Sequence, residues 1–346
     1  MKNYTIITCD GGGFLGVITA SLLDDLESSF PGILENVGLF GGTSTGAIIT
    51  LGLGSRRMTT KDLLHFYETA GPQVFQRCQP SSGPGARPNL SEGLHRMLLC
   101  RMVPELCYPV YTNEGQIEVL EPYFGDATFA DLKTNVLVTT FAVSNSADFQ
   151  WEPLALHSLP GTHFSNVSLL DAVMCSSSPP ALFPPYFLPT EPERWCVDGG
   201  VFANNPSTFT IAHLINARVL EAEGKTHDNL RLLSIGTGAR RHTVPFNTFG
   251  DPFNWGIYRW MNPYPPAPEA PFPLLAAVWD GQSEVDSFQS RMILGEDRYR
   301  RANPVLPESV RLDDWQAVPK LEEWTQEYIV GEEWQAVKQW VKENFV

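Results

Sequence analysis

Leu39-Phe40-Gly41-Gly42-Thr43-Ser44-Thr45-Gly46-Ala47-Ile48-Ile49-Thr50-Leu51-Gly52-Leu53 (LFGGTSTGAIITLGL) is the stretch on which the reading of this chain turns. A short apolar run enters a glycine turn, and Ala47 to Leu53 reads as a nearly all-apolar helix. The same grammar opens the chain. Tyr4 to Cys9 (YTIITC) is rich in β-formers and runs into Asp10-Gly11-Gly12-Gly13. From Leu15 onward Ile18, Leu22, Leu26 and Phe30 recur at helical spacing, and Pro31-Gly32 stops the helix. Strand, glycine turn and helix, twice over, predict an α/β fold: a central, mostly parallel sheet flanked by helices.

Further along, Val136 to Val143, Phe149 to Leu156, Trp195 to Val197 and Leu230 to Ile235 read as strands, and Leu169 to Cys175 as a helix. Gln79 to Asn89 is a Pro/Gly/Ser stretch predicted to be an exposed, mobile loop. Asn205-Pro206 sets an N-cap before a proline, predicting a helix to about Leu220. Trp315 to Val346 reads as amphipathic helix. No repeat or linker divides the chain, so a single domain over 1–346 is expected, with 306–346 as a C-terminal helical extension.

Composition narrows the function. The 346 residues carry 24 Lys plus Arg against 39 Asp plus Glu, a formal charge of −15. That balance excludes a nucleic-acid binder, which needs a basic footprint. It also opposes electrostatic capture by anionic membranes, so membrane contact has to be local and hydrophobic, or made with zwitterionic lipid. The six cysteines show no metal-finger spacing. Asp10 and its glycines interrupt the first apolar stretch too early for a signal peptide, and no run approaches the roughly 20 apolar residues of a spanning helix. Cytoplasmic residence is the expectation, with secretion by a signal-less route left open.

Three strand-end turns carry the candidate chemistry. Gly42-Thr43-Ser44-Thr45-Gly46 fits G-x-S-x-G, in which glycines Gly42 and Gly46 let the backbone turn sharply and present a serine at a strand-to-helix corner. The alternative is a serine that merely caps a helix. Gly11, Gly12 and Gly13 lack Cβ atoms, so their amides can converge on one anion, as an oxyanion hole requires. Gly11, Gly13 and Gly16 also satisfy the dinucleotide pattern G-x-G-x-x-G, but no acidic residue ends a second strand about 20 positions on. Asp198-Gly199-Gly200 ends the third strand; Asp198 is either a turn former or a base for Ser44. A carboxyl with an ordinary pKa near 3.9 is a poor base, so that role demands desolvation.

Asp10-Gly11-Gly12-Gly13-x-x-Gly16, Gly42-Thr43-Ser44-Thr45-Gly46 and Asp198-Gly199-Gly200 stand in the order seen in patatin-like phospholipases, which this chain resembles over about residues 4–305. Phe124-Gly125-Asp126, Ser176 to Pro185, Val201 to Pro206, Leu233 to Gly238 and Tyr299 to Pro304 are weaker family-like blocks. The resemblance implies hydrolysis of lipid esters through an acyl-serine, with Ser44 as nucleophile, Asp198 as general base, and the amides of Gly11, Gly12 and Gly13 around the oxyanion. It implies no metal or cofactor, a lipid ester as substrate, and transient contact with a membrane or micelle. The chain departs from the family at Leu15, where a basic residue is common. Either the substrate is less anionic, or Arg56 or Arg57 supplies the charge. Three other readings stay open: a lipid- or nucleotide-binding protein without turnover, an acyltransferase using the same serine, and a Ser44–Asp198–His242 triad. The aromatic, proline-dense segment 251–273 reads as surface packing or as a flap over an acyl channel. The tryptophans Trp315, Trp324, Trp334 and Trp340 read as a docked terminal helix or as a partner-binding face.

Overall fold

The computed structural model describes residues 3–77, 108–147, 150–239, 255–262 and 272–346. Strands β1 (Tyr4–Cys9), β2 (Leu39–Thr43), β3 (Asn135–Asn145), β4 (Glu152–His157), β5 (Tyr186–Leu188), β6 (Arg194–Asp198), β7 (Leu230–Ile235) and β8 (Tyr299–Ala302) form one sheet. Its order is β5-β6-β3-β2-β1-β7-β8, with β4 paired to β3 off that path. The β3-β2-β1-β7-β8 block is parallel, whereas β4 and β6 run antiparallel to β3, and β5 antiparallel to β6. β1 is buried along its whole length, as expected of a parallel strand with helices on both faces.

The principal helices are α1 (Gly16–Ser29), α2 (Thr45–Ser55), α3 (Thr60–Thr69), α4 (Glu114–Phe124), α5 (Leu169–Ser176), α6 (Ser207–Asn216), α7 (Pro273–Leu294), α8 (Val318–Val330) and α9 (Glu332–Asn344). α2 is apolar on nearly every side and is correspondingly enclosed. Trp334, Val337, Trp340 and Val341 of α9 belong to the same buried cluster as Ile7, Leu22 and Ile49. The Trp334 indole N–H donates to the Asp25 carboxylate on α1 at 2.7 Å, and Trp340 donates to the Asp297 carbonyl at 2.9 Å. The terminal tryptophans thus dock helices on the core.

Several sequence expectations are corrected. The helix after Asn205-Pro206 stops at Asn216, because Arg218 turns left-handed (φ 52°) before a short helix over Val219–Ala222. Trp315 to Val346 breaks at Gly331 into α8 and α9. α7, at 22 residues the longest helix among the described residues, was not anticipated. The 79–89 loop, His242 and Tyr264 lie outside the described residues.

Candidate active site

The sheet topology explains how residues so distant in sequence can meet. Along one edge of β3, Thr43 of β2 sits opposite Thr139, and Asp198 of β6 sits opposite the next residue, Thr140. β2 and β6 run toward each other along that edge and stop head to head. Ser44, the residue after Thr43, and Asp198 therefore both line one cleft with Gly11, Gly12 and Gly13.

Ser44 stands between β2 and α2 with φ 55° and ψ −121°, a conformation costly for any residue with a Cβ. Local bonds hold the turn. The Ser44 N–H donates to the Ser176 hydroxyl at 2.8 Å, and the Ser44 carbonyl accepts from Ala47 N–H at 2.8 Å. Gly46 is required by space: a Cβ there would lie 2.1 Å from the Cys9 carbonyl oxygen. The hydroxyl of Thr45 bonds that of Tyr67, and a side chain at Gly16 would strike this pair. Gly16 therefore makes room for the serine turn.

Asp198 is buried, and desolvation pushes its carboxyl up to about 7, although the nearby Ser44 hydroxyl and the Gly200 N–H pull it down. The Gly200 N–H donates to Asp198 Oδ1 at 2.7 Å and fixes the carboxyl's orientation. Gly199 is pinned against β3, where a Cβ would come within 2.2 Å of Thr139 Oγ1.

The glycine turn divides its labour. The Gly11 N–H donates to the Asn204 carbonyl at 3.0 Å, and the Gly11 carbonyl accepts from the Thr237 hydroxyl at 2.9 Å. Gly11 is thus committed to holding the turn, whereas the sequence expectation gave all three glycine amides to an oxyanion. Among the described residues, the Gly12 and Gly13 N–H groups have no partner. Thr45, the first residue of α2, likewise offers an N–H with no intrahelical acceptor.

Beneath the turn, both carboxylate oxygens of Asp10 are bound by Arg301 of β8, at 2.9 and 2.5 Å, and the same guanidinium donates to the Ser234 hydroxyl at 2.8 Å. Burial alone would lower the Arg301 pKa, but the Asp10 carboxylate more than reverses this and keeps the guanidinium charged. Leu15 is fully buried in the core. Arg56 faces Glu35 and Arg57 binds Asp126, and neither lines the cleft, so the idea that they replace a cation at position 15 is not supported. The cation that steadies the glycine turn is Arg301.

Aromatic and aliphatic side chains dominate the wall of the cleft. Phe14, Phe75 and Phe183 form a continuous aromatic surface, with ring centroids 5.2 Å apart for Phe14–Phe75 and 6.1 Å for Phe75–Phe183. No described histidine lines it. His157 and His213 meet elsewhere as tilted rings with centroids 5.4 Å apart, and burial lowers the His157 pKa to about 4. Among the described residues no group of three or more His, Cys, Asp or Glu could hold a metal ion, and no helix is long and apolar enough to cross a membrane.

Sequence reasoning missed the roles of Ser176, Asn204, Thr237 and Arg301. Each stands in a family-like block, but their contacts cross the fold and leave no local signature.

The chain is 28% identical over 337 residues to "Putative sporulation hydrolase CotR" of Bacillus subtilis, spanning 90% of this chain and 91% of that protein. It is 24% identical over 286 residues to "Probable inactive patatin-3-Kuras 1" of Solanum tuberosum, spanning 75% and 69%. VipD from Legionella pneumophila aligns structurally at 12% identity and a TM-score of 0.35, covering 99% of this chain and 79% of that one. The family model described as patatin-like phospholipase matches residues 7–211, from β1 through the serine turn and Asp198 into α6. This chain belongs to the patatin-like phospholipase family.

Proposed function

We propose that the chain is a serine carboxylic-ester hydrolase acting on lipids, with Ser44 as nucleophile and Asp198 as general base. One observation carries the reading: a strained serine turn, a carboxyl raised toward neutrality and unpartnered amides converge on one apolar cleft. Ser44 Oγ attacks the ester carbonyl as its proton passes to Asp198. The Gly12, Gly13 and Thr45 amides take the negative charge that develops on the carbonyl oxygen. The ester C–O bond then breaks and the departing alkoxide takes the proton from Asp198. Water attacks the acyl-serine, giving its proton to Asp198, and the fatty acid leaves as that proton returns to Ser44.

The acyl chain lies along the Phe14–Phe75–Phe183 surface, which suits hydrocarbon better than any polar ligand. None of the described residues lining the cleft is Lys or Arg, and position 15 is a buried leucine. A weakly anionic or neutral ester, such as a lysolipid or glyceride, fits that wall. A fluorophosphonate probe tests the nucleophile directly. Labelling of Ser44 that disappears in Ser44→Ala is the expected result, and an unlabelled but folded chain would leave a lipid-binding protein without turnover. Product analysis on a mixed lipid extract then identifies the bond and the lipid class.

A further inference from the structure

α7 is built inside out. The side turned to the body is polar: Ser283 accepts from the Asn204 side chain at 3.0 Å, Ser287 accepts from Asn205 at 3.1 Å, Asp286 accepts from Thr208 N–H at 3.0 Å, and Ser290 bonds the Thr208 hydroxyl at 3.0 Å. The opposite side presents Leu274, Val278, Gly281, Val285, Phe288 and Met292 to solvent, with Phe288 62% and Met292 61% exposed. The steps between these six are four, three, four, three and four residues. At 100° per residue they fall in a band about 80° wide, opposite the serines, and the seam is about 27 Å long.

Apolar residues spaced in alternating fours and threes form the seam of a helix pair, and Ile293, 50% exposed, lies beside its C-terminal end. The flanks agree, since the seam is bordered by Glu284, Gln289 and Arg291 and lacks the basic rim of a membrane-surface helix. Glu284 and Arg291 occupy equivalent flanking positions one heptad apart and carry opposite charges. When two copies of α7 lie antiparallel about a two-fold axis near Asp286 and Ser287, Glu284 of each copy faces Arg291 of the other, twice over. In a parallel pair Glu284 would face only Gln289.

We propose that the outer face of α7 is the self-association surface of this chain, forming a two-fold antiparallel helix pair with a second copy. The pairing would bear on the cleft, because the same helix contributes Trp279 to its wall and Ser283 to the Asn204 side chain.

Sedimentation equilibrium on the full chain at micromolar concentration tests this, with twice the 38.5 kDa chain mass expected. Phe288→Glu should give monomer with an unchanged circular dichroism spectrum, and Phe288→Ser serves should the charged variant fail to fold. Glu284→Arg and Arg291→Glu should each weaken the dimer at least tenfold, and their combination should return it to near the wild-type constant. A wild-type chain that stays monomeric throughout, or a double variant weaker than either single one, overturns the proposal. So does a monomer that floats with phosphatidylcholine vesicles and loses this in Phe288→Ser, which would assign the face to lipid instead.

Discussion

Asp10 and Arg301 meet across 291 positions of sequence, in a two-pronged ion pair directly below the glycine turn. Both partners are enclosed, so removing the cation strands a carboxylate in a low-dielectric site. Arg301→Met should cost about 3–5 kcal/mol in urea unfolding, as is usual when one member of a buried pair is lost. Adding Asp10→Asn should recover a good part of that loss. Equal stability of the single and double variants would show that the pair is not coupled.

Activity should follow ionisation of Asp198. With its pKa at about 7, kcat/KM rises with pH through that value and lies roughly thirtyfold below its plateau at pH 5.5. A profile that is flat from pH 5.5 to 8.5 would dismiss this carboxyl as the base.

The same raised carboxyl has a stability consequence of opposite sign. The folded chain keeps this proton where the unfolded chain, near pKa 3.8, has lost it. The contribution is full below the unfolded value and disappears as pH climbs through the folded one. Asp198→Asn should therefore be about 1–3 kcal/mol more stable than wild type at pH 8 while losing turnover, a trade commonly found at active sites. Thermal unfolding at pH 5 and pH 8 measures the difference.

Ser176→Ala leaves the Ser44 N–H without its acceptor inside the protein. A loss of about 1–3 kcal/mol in stability is expected from the unsatisfied donor. Turnover should fall tenfold or more with KM little changed, because the serine turn loosens while the acyl wall stays. Threonine, which keeps the hydroxyl, should rescue turnover in part.

Leu15→Arg, designed to restore the family's usual basic residue, should instead unfold or strongly destabilise the chain. Leu15 is fully enclosed by core residues, with no carboxylate among the described ion pairs to receive a cation there. A stable Leu15→Arg protein with a shifted preference toward anionic lipids would refute this packing.

The parallel core was legible in the sequence because its strands are short apolar runs bounded by glycine turns. Leu230 to Ile235 was read to the residue, and β1 likewise. The serine turn and the Asp198 turn were legible for the same reason, since each is a local backbone event. What stayed hidden is what crosses the fold. Arg301 looks like any arginine on a short strand, and Gly11 looks like its neighbours until Asn204 takes its amide. α7 escaped because hydropathy expects an apolar side to face inward, and here serines do. Arg218 and Gly331 broke predicted helices through single backbone conformations that side-chain periodicity does not encode.

The head-on meeting of β2 and β6 has a mechanical corollary. Ser44, through its neighbour Thr43, and Asp198 are anchored to consecutive residues of a single strand, so twisting or sliding of that strand carries the two along in unison. Their separation is a common-mode quantity, shielded from drift in the long intervening chain. Loops between them can lengthen, fray or rearrange over evolutionary time while the serine and the carboxylate keep their calibration.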